Sequence, residues 1–272
     1  MQPATQSMKT SLTRTLKQLP GVRQVLDFAR RGTPVLDEGQ IAQYHHDGYM
    51  TFDLDLPETL LDRAVADMAK HPDMLKKLHH GSRVFNGWKA SRAVRAIALA
   101  SRVTRTLRQL YGRAPRPFQT LNFPIGTEQK VHSDIIHFSS DPVTYMCGVW
   151  VALEDIDMNN GALVYYPGSH KFPIVRMEDV APGPGPEHYP LYEAHVEKLV
   201  ESLKLTPHHA VLKKGQALIW AANLLHGGSA HYDKGRTRHS QVTHYYFEGC
   251  QYYQPLSSYG GYRHLKLDDW VV

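Results

Sequence analysis

Cysteine is scarce in this sequence, with two in 272 residues. That excludes a disulfide-stapled scaffold and fits a reducing, cytoplasmic compartment. No apolar run approaches the roughly 18 residues that cross a bilayer as a helix. The N-terminus lacks the continuous apolar stretch of a secretory signal. Net charge is absent from most of the chain as well. The formal excess of +5 comes from the first 31 residues, where Lys9, Arg14, Lys17, Arg23, Arg30 and Arg31 face one acid, Asp27. A nucleic-acid-binding domain carries its charge on the folded body, so no nucleic-acid partner is expected. What the chain does hold is 42% hydrophobic residues against 21% charged. That suffices for a buried core in one large domain or two small ones.

Residues 1–35 read as a basic helical appendage. Val22, Val25, Leu26 and Ala29 recur at helical spacing between Arg23, Arg30 and Arg31. Such a segment packs on the outside of a domain or makes peripheral contact with an anionic membrane, here through residues 8–31. Residues 36–272 read as one domain, with helical support over 36–113. A helix over 38–46 ends at Gly48, and a second follows Pro57 with Leu60, Leu61, Ala64, Val65 and Met68 in phase. Ser91 caps a long third helix whose stripe is Val94, Ile97, Val103, Leu107 and Leu110. Residues 79–89 read as a loop. From Phe118 onward the texture is β, with runs at 120–124, 131–138, 143–153, 162–166, 210–212, 216–225 and 236–247 separated by Gly- and Asn-rich turns. The class is mostly β with N-terminal helices, a sandwich or jelly roll. The longer gap at 171–209 reads as an insertion at the rim.

Seventeen histidines make any one of them weak evidence for a metal site. His-x-Asp is part of a two-histidine, one-carboxylate iron site, yet it occurs four times. His45–Asp47 lies at a helix end, His71–Asp73 at a helix stop, and His231–Asp233 at a hairpin tip. Each has an ordinary structural explanation. His132–Asp134 lies in a β-rich run, where residues two apart share a face. The third ligand is sought in the apolar segment 216–228, where His226 precedes Gly227 and Gly228. A turn at 233–235 then leads to Arg236 and Arg238. Reflection through it brings Arg238 near the cross-strand neighbour of His226, where an arginine offers two parallel N–H donors to a carboxylate. Arg236 shares its parity, so periodicity does not choose between them.

Together these features resemble the phytanoyl-CoA dioxygenase family from about Glu38 to Phe247. The resemblance rests on His132-Ser133-Asp134, the run from Val149 to Asp155, Asn160-Gly161-Ala162-Leu163, Pro167-Gly168-Ser169-His170, His226-Gly227-Gly228 and Arg238. The lead-in Tyr44-His45-His46-Asp47-Gly48-Tyr49 adds to it. It implies a double-stranded β-helix (jelly roll or cupin-like) that uses Fe(II) and 2-oxoglutarate. His132, Asp134 and His226 match the iron ligands, and Arg238 the residue that pairs with the distal carboxylate of 2-oxoglutarate. Asn122 matches a cosubstrate-contact position, with Gln119 a second candidate. Relatives often have His-Gly-Ser where this chain has His226-Gly227-Gly228-Ser229, so Ser229 or Ser240 is expected to supply the hydroxyl. Related halogenases lack the carboxylate ligand. Asp134 therefore implies hydroxylation or another oxidative outcome, with 2-oxoglutarate converted to succinate and CO2.

Two rival readings use the same residues. One is a zinc-dependent hydrolase with the metal as Lewis acid, and the other is a non-catalytic jelly-roll binding protein. The rim insertion holds Arg176, His188, Tyr189, Tyr192 and His195. With four bases against six acids it offers no cradle for a CoA phosphate. The expected substrate is a small metabolite or a carbohydrate-containing intermediate.

Overall fold

A computed structural model describes residues 34–75, 83–183, 185–257 and 270–271. Residues 8–31, with their predicted helix and membrane contact, lie outside the described residues, as does the 79–82 part of the predicted loop. Helix α1 (Glu38–Asp47) opens with a capping box. Asp37 accepts the Gln40 N–H at 2.8 Å, and Gln40 Oε1 accepts the Asp37 N–H at 3.0 Å. It stops at Gly48, whose φ of 79° favours glycine. Strand β1 (Tyr49–Asp53) and helix α2 (Glu58–Ala69) follow, and α2 buries Leu61, Ala64 and Met68. After the short strand β2 (Val84–Phe85), the long helix expected behind Ser91 proves to be two. Helix α3 (Arg92–Ala98) is capped by Ser91 Oγ, which accepts the Val94 N–H at 3.2 Å. Helix α4 (Ser101–Tyr111) starts after a break at Leu99 and Ala100. All five stripe residues are buried. Both halves face the same core, so the apolar period continues across a bend that it cannot reveal.

The remaining elements are β3 (Pro115–Phe123), β4 (Ser139–Asp141), β5 (Met146–Ala152), β6 (Leu163–Tyr165), α5 (Met177–Val180), α6 (Tyr189–Ser202), β7 (His208–Ala210), β8 (Gln216–Ala221), β9 (His226–Gly228), β10 (Ser240–Phe247) and β11 (Gln251–Tyr253). They form a six-stranded sheet in the order β1-β8-β5-β10-β3-β2, a three-stranded sheet β7-β6-β9, and the pair β11-β4. All the pairings are antiparallel. This is the double-stranded β-helix with helices on its N-terminal side. Alternation along the strands divides the core. Cys147, Val149, Ala217, Ile219, Tyr245 and Phe247 pack toward α2–α4. Trp150, Ala152, Leu218, Trp220 and Val242 pack on the other face with Tyr165 and Leu212.

Three expected runs are corrected. The 131–138 run is no strand. His132 makes an isolated bridge to His226, and a 3-10 turn spans Asp134–Ile136. The 216–225 run ends at Ala221, and the chain turns before opening β9 at His226. The 226–238 segment is not a hairpin either. Strand β9 pairs with β6, whereas β10 pairs with β3 and β5, so the chain crosses between sheets there. A sheet change and a turn look alike in sequence, because both need only polar residues and glycine.

Gly148 on β5 lies opposite Trp220 on β8. A Cβ at Gly148 would sit 2.2 Å from the indole ring. Gly148→Val is expected to destabilise the fold by about 1–3 kcal/mol through overpacking. Urea unfolding measures this, and an unchanged midpoint would show that the indole has room to move.

Candidate metal centre

His132 and His226 meet through backbone before their side chains matter. Each N–H donates to the other's carbonyl at 2.9 Å, so the two residues are a hydrogen-bonded antiparallel pair with side chains on one face. Their rings lie 4.5 Å apart between centroids. Each Nδ1 also lies 2.9 Å from a backbone carbonyl, that of Lys130 for His132 and that of Leu224 for His226. A carbonyl only accepts, so Nδ1 carries the proton and each Nε2 keeps an unprotonated lone pair, the one on His132 lying 3.4 Å from the Gln129 side-chain amide. Burial, with His226 adjacent, lowers the His132 pKa to about 3, which keeps that lone pair available.

Asp134 completes the cluster from the first residue of the 3-10 turn. Its Oδ1 lies 3.8 Å from His132 Nε2 and 3.7 Å from His226 Nε2. The three ligand atoms fall within 4.8 Å of one another, and all three residues are buried. The other oxygen, Oδ2, accepts the Trp220 indole N–H at 2.6 Å and faces His244 Nε2 at 3.5 Å. Oδ1 is thereby left toward the histidines. Burial alone would raise the Asp134 pKa. The imidazoles of His226, His244 and His132 outweigh it and hold the carboxyl well below the usual range.

Ser133 explains the middle of the motif. Its hydroxyl donates to Ala222 O and Asn223 Oδ1, each at 3.1 Å, and its N–H donates to Tyr192 OH at 2.9 Å. The 132–134 segment is thus tied to the turn that precedes His226. Ser169 of the Pro-Gly-Ser-His motif accepts the Leu225 N–H at 2.9 Å and braces the same turn. Gly227 and Gly228 are needed for close approach. A Cβ on either would fall 2.8 Å from backbone of residues 128–129, so a serine cannot stand at 228 without moving that segment.

Both histidines and Asp134 line a cavity of about 740 Å³. Arg238 lines it too, with only 5% of its surface exposed. Its Nη1 donates to Ser240 Oγ at 2.7 Å, while its Nε is buried with no partner. The guanidinium lies 5.3 Å from the Trp150 ring and 5.8 Å from that of Phe123. Burial brings its pKa down to about 10, so it is charged at neutral pH. A buried cation with an unmet N–H is costly unless an anion pairs with it. Asn160 helps to aim it, since its amide donates to Thr237 O at 3.1 Å, one residue before Arg238.

A family model described as phytanoyl-CoA dioxygenase (PhyH) matches residues 30–240. The chain belongs to the phytanoyl-CoA dioxygenase family. The peroxisomal phytanoyl-CoA dioxygenase of Rattus norvegicus is 31% identical over 127 residues, which are 45% of this chain and 34% of that protein. Phytanoyl-CoA dioxygenase domain-containing protein 1 of Danio rerio is 32% identical over 121 residues, or 44% of this chain and 40% of that one. The matched stretch therefore spans about a third of the rat relative's length. Among solved structures, the non-heme alpha-ketoglutarate-dependent carbocyclase SnoK from nogalamycin biosynthesis superposes with a TM-score of 0.68 at 16% identity, covering 89% of this chain and all of that one. EctD from S. alaskensis with bound Fe gives 0.63 at 18% identity, with 83% and 82% covered. At these identities the likeness concerns the fold.

Within this phytanoyl-CoA dioxygenase family chain, the other expected residues separate. Arg236 pairs with Asp157 at 2.8 Å on the surface, which leaves Arg238 for the cavity. Arg238 stands before β10 rather than on a strand paired with His226. Ser240 is buried and holds Arg238, whereas Ser229 Oγ meets His209 Nδ1 at 2.9 Å instead. Asn122 is a correction. Gln119, Leu121 and Phe123 of β3 line the cavity, so alternation turns Asn122 to the opposite face, where its amide donates to Gln241 Oε1 at 3.3 Å. Gln119 Oε1 lies 3.0 Å from His244 Nδ1, behind the imidazole that faces Asp134. Of the other His-x-Asp pairs, His231 Nε2 lies 2.8 Å from Asp233 O, and His71 and Asp73 are 3.7 Å apart at a turn. His45 and Asp47 stand at the end of α1.

Sequence reasoning passed over Trp220 and His244. The signal for His244 was its parity with Ser240 and Val242 on one strand; for Trp220 it was an indole N–H in an otherwise apolar strand.

Two outcomes follow from these contacts. Trp220→Phe removes the donor that occupies Asp134 Oδ2, so Fe(II) affinity measured by anaerobic titration is expected to fall about 10- to 100-fold; undiminished affinity would show that the indole does not orient the carboxylate. The second concerns pH. His132 is buried and His137 half-buried, with pKa lowered to about 3 and about 4. The unfolded chain protonates them near 6.5 and so binds more protons in between, and stability falls as pH falls. Metal-free protein is expected to lose stability from pH 7 to pH 5, approaching about 1.4 kcal/mol per unit for each histidine. Urea midpoints that do not move across that window would contradict this.

Proposed function

We propose that residues 36–272 act as one Fe(II)- and 2-oxoglutarate-dependent oxygenase domain that hydroxylates a small metabolite or a carbohydrate-containing molecule. One observation carries the reading. A buried His-Asp-His cluster with two unprotonated Nε2 atoms shares its cavity with a buried arginine that has no acidic partner among the described residues. The residues fit the group. His132 Nε2, His226 Nε2 and Asp134 Oδ1 form a two-histidine, one-carboxylate donor set suited to ferrous iron. Arg238 Nε supplies the unmet donor that a carboxylate of 2-oxoglutarate would satisfy.

Iron held there supplies dioxygen activation. The balanced reaction is R–H + O2 + 2-oxoglutarate → R–OH + succinate + CO2. The chain's own contribution is placement. Arg238, steadied by Ser240 Oγ, orients the keto-diacid, and Trp150 and Phe123 wall off water around its guanidinium. Trp220 and His244, the latter backed by Gln119, keep Asp134 Oδ2 occupied so that Oδ1 faces the histidines. The apolar walls Leu121, Phe138 and Val242 limit solvent near the reacting atoms.

The rival readings explain less. A zinc hydrolase needs no buried guanidinium in its cavity, and a degenerate binding protein needs no pair of unprotonated imidazole nitrogens turned toward a buried carboxylate. Among the described residues no helix is long and apolar enough to cross a membrane.

Purified full chain with Fe(II), ascorbate and 2-oxoglutarate is expected to release succinate slowly without a substrate. His132→Ala is expected to abolish this, and Arg238→Gln to raise the 2-oxoglutarate concentration for half-maximal release about 10- to 100-fold. Turnover with zinc and not iron would favour the hydrolase. Metal binding with no succinate would favour the binding protein.

A further inference from the structure

Part of the cavity wall is not used by the metal cluster or by Arg238. It is made by Arg83, Phe85, His137, Phe138, Tyr189 and Glu193. Val84 pairs with Asn122, and Phe85 with Leu121. Arg83 and Phe85 thus flank Val84 on the cavity side, at the sheet's outer edge. Tyr189 and Glu193 come from α6 across the opening.

The charges on this wall do not cancel. Asp134 and Arg238 are assigned above. Glu193 has the Lys130 ammonium 4.0 Å away. Among the described residues Arg83 has no acidic partner, and its Nε is buried without a hydrogen bond. Its guanidinium lies over the Phe85 ring at 4.9 Å, which leaves the edge of the fork free for a ligand. Burial lowers the Arg83 pKa, yet an arginine stays charged under such a shift. His137, which feels the Arg83 charge, is neutral, with its pKa lowered to about 4 chiefly by burial. Its Nε2 meets Tyr189 OH at 3.3 Å, so it offers the cation no counter-charge. Around the free guanidinium stand apolar rings, and Phe85 is 45% exposed at the edge of the cavity.

We propose that Arg83 determines substrate specificity by binding an oxyanion on the substrate, with Phe85 and Phe138 covering the apolar part beside it. The substrate class is then a small anionic molecule, carrying a carboxylate or a phosphate next to an apolar body. This rests on the oxygenase reading, because the substrate is taken to enter the cavity that holds the metal cluster. The guanidinium fork pairs with either anion in two parallel N–H···O bonds.

The test uses the full chain, anaerobic, with Fe(II) and saturating 2-oxoglutarate to fill the Arg238 site. Benzoate, phenyl phosphate and neutral benzamide are titrated by calorimetry. Wild type is expected to bind at least one of the two oxyanion probes more tightly than benzamide, and the tighter one identifies the group read. Arg83→Gln is expected to lose about ten-fold or more of that affinity and none for benzamide. Arg83→Lys retains part of it, as a point charge without the fork. The proposal is overturned by equal oxyanion affinity in wild type and Arg83→Gln, or by wild type preferring benzamide. Urea midpoints of the variants check that they fold. Absence of 2-oxoglutarate binding to wild type would sink the oxygenase reading instead, and the same probes titrated with Fe(II) alone would still show whether oxyanion binding needs Arg83.

Discussion

Two reciprocal backbone hydrogen bonds, between His132 and His226, are the constraint on which the centre depends. They join residues 94 positions apart in the chain and make no use of the imidazoles. Because they form an antiparallel pair, they put both rings on one face and leave the rings free to serve as ligands. Each ring is then turned by its own local carbonyl. Placement and tautomer are therefore both settled by main chain, which costs little to hold rigid once the sheets exist.

Around that pair the protein manages an expensive burial of charge. Asp134 lies among imidazoles and an indole, and Arg238 lies against Trp150 and Phe123 with an N–H unmet. Neither would persist in a core selected for stability alone, where an unpaired guanidinium is a liability. The surrounding sheet makes room for them at particular points. Gly148 yields to the Trp220 ring so that its N–H reaches Asp134. Gly227 and Gly228 let the 128–131 segment close over β9. The glycines explain why this chain departs from the commoner serine after His-Gly.

The family places the chain among oxygenase-like folds; on the proposed reading, the substrate meets the wall beyond the cluster. That wall is assembled from an edge strand of the large sheet and from α6, which lies within the rim segment at 171–209. Loops and insertions carry specificity because they can vary without disturbing the sheets that hold the chemistry. An unbalanced arginine in such a wall directs attention to charge on the substrate rather than to its size.

Sequence alone determined the class of fold, the helices that open at Asp37 and Ser91, and the glycine stop at 48, and it singled out His132, Asp134, His226 and Arg238, which line one cavity. These were legible because capping, alternation and motif spacing are local, and local rules are written in neighbouring residues. Tertiary structure decided the rest. It split the Ser91 helix, replaced the strand at 131–138 with a bridge and a 3-10 turn, and sent β9 and β10 to different sheets. It also turned Asn122 away from the cavity and brought Trp220, His244 and Arg83 to it. Those outcomes depend on which segments pair across the fold, and pairing is set by packing among distant residues that no window along the chain contains.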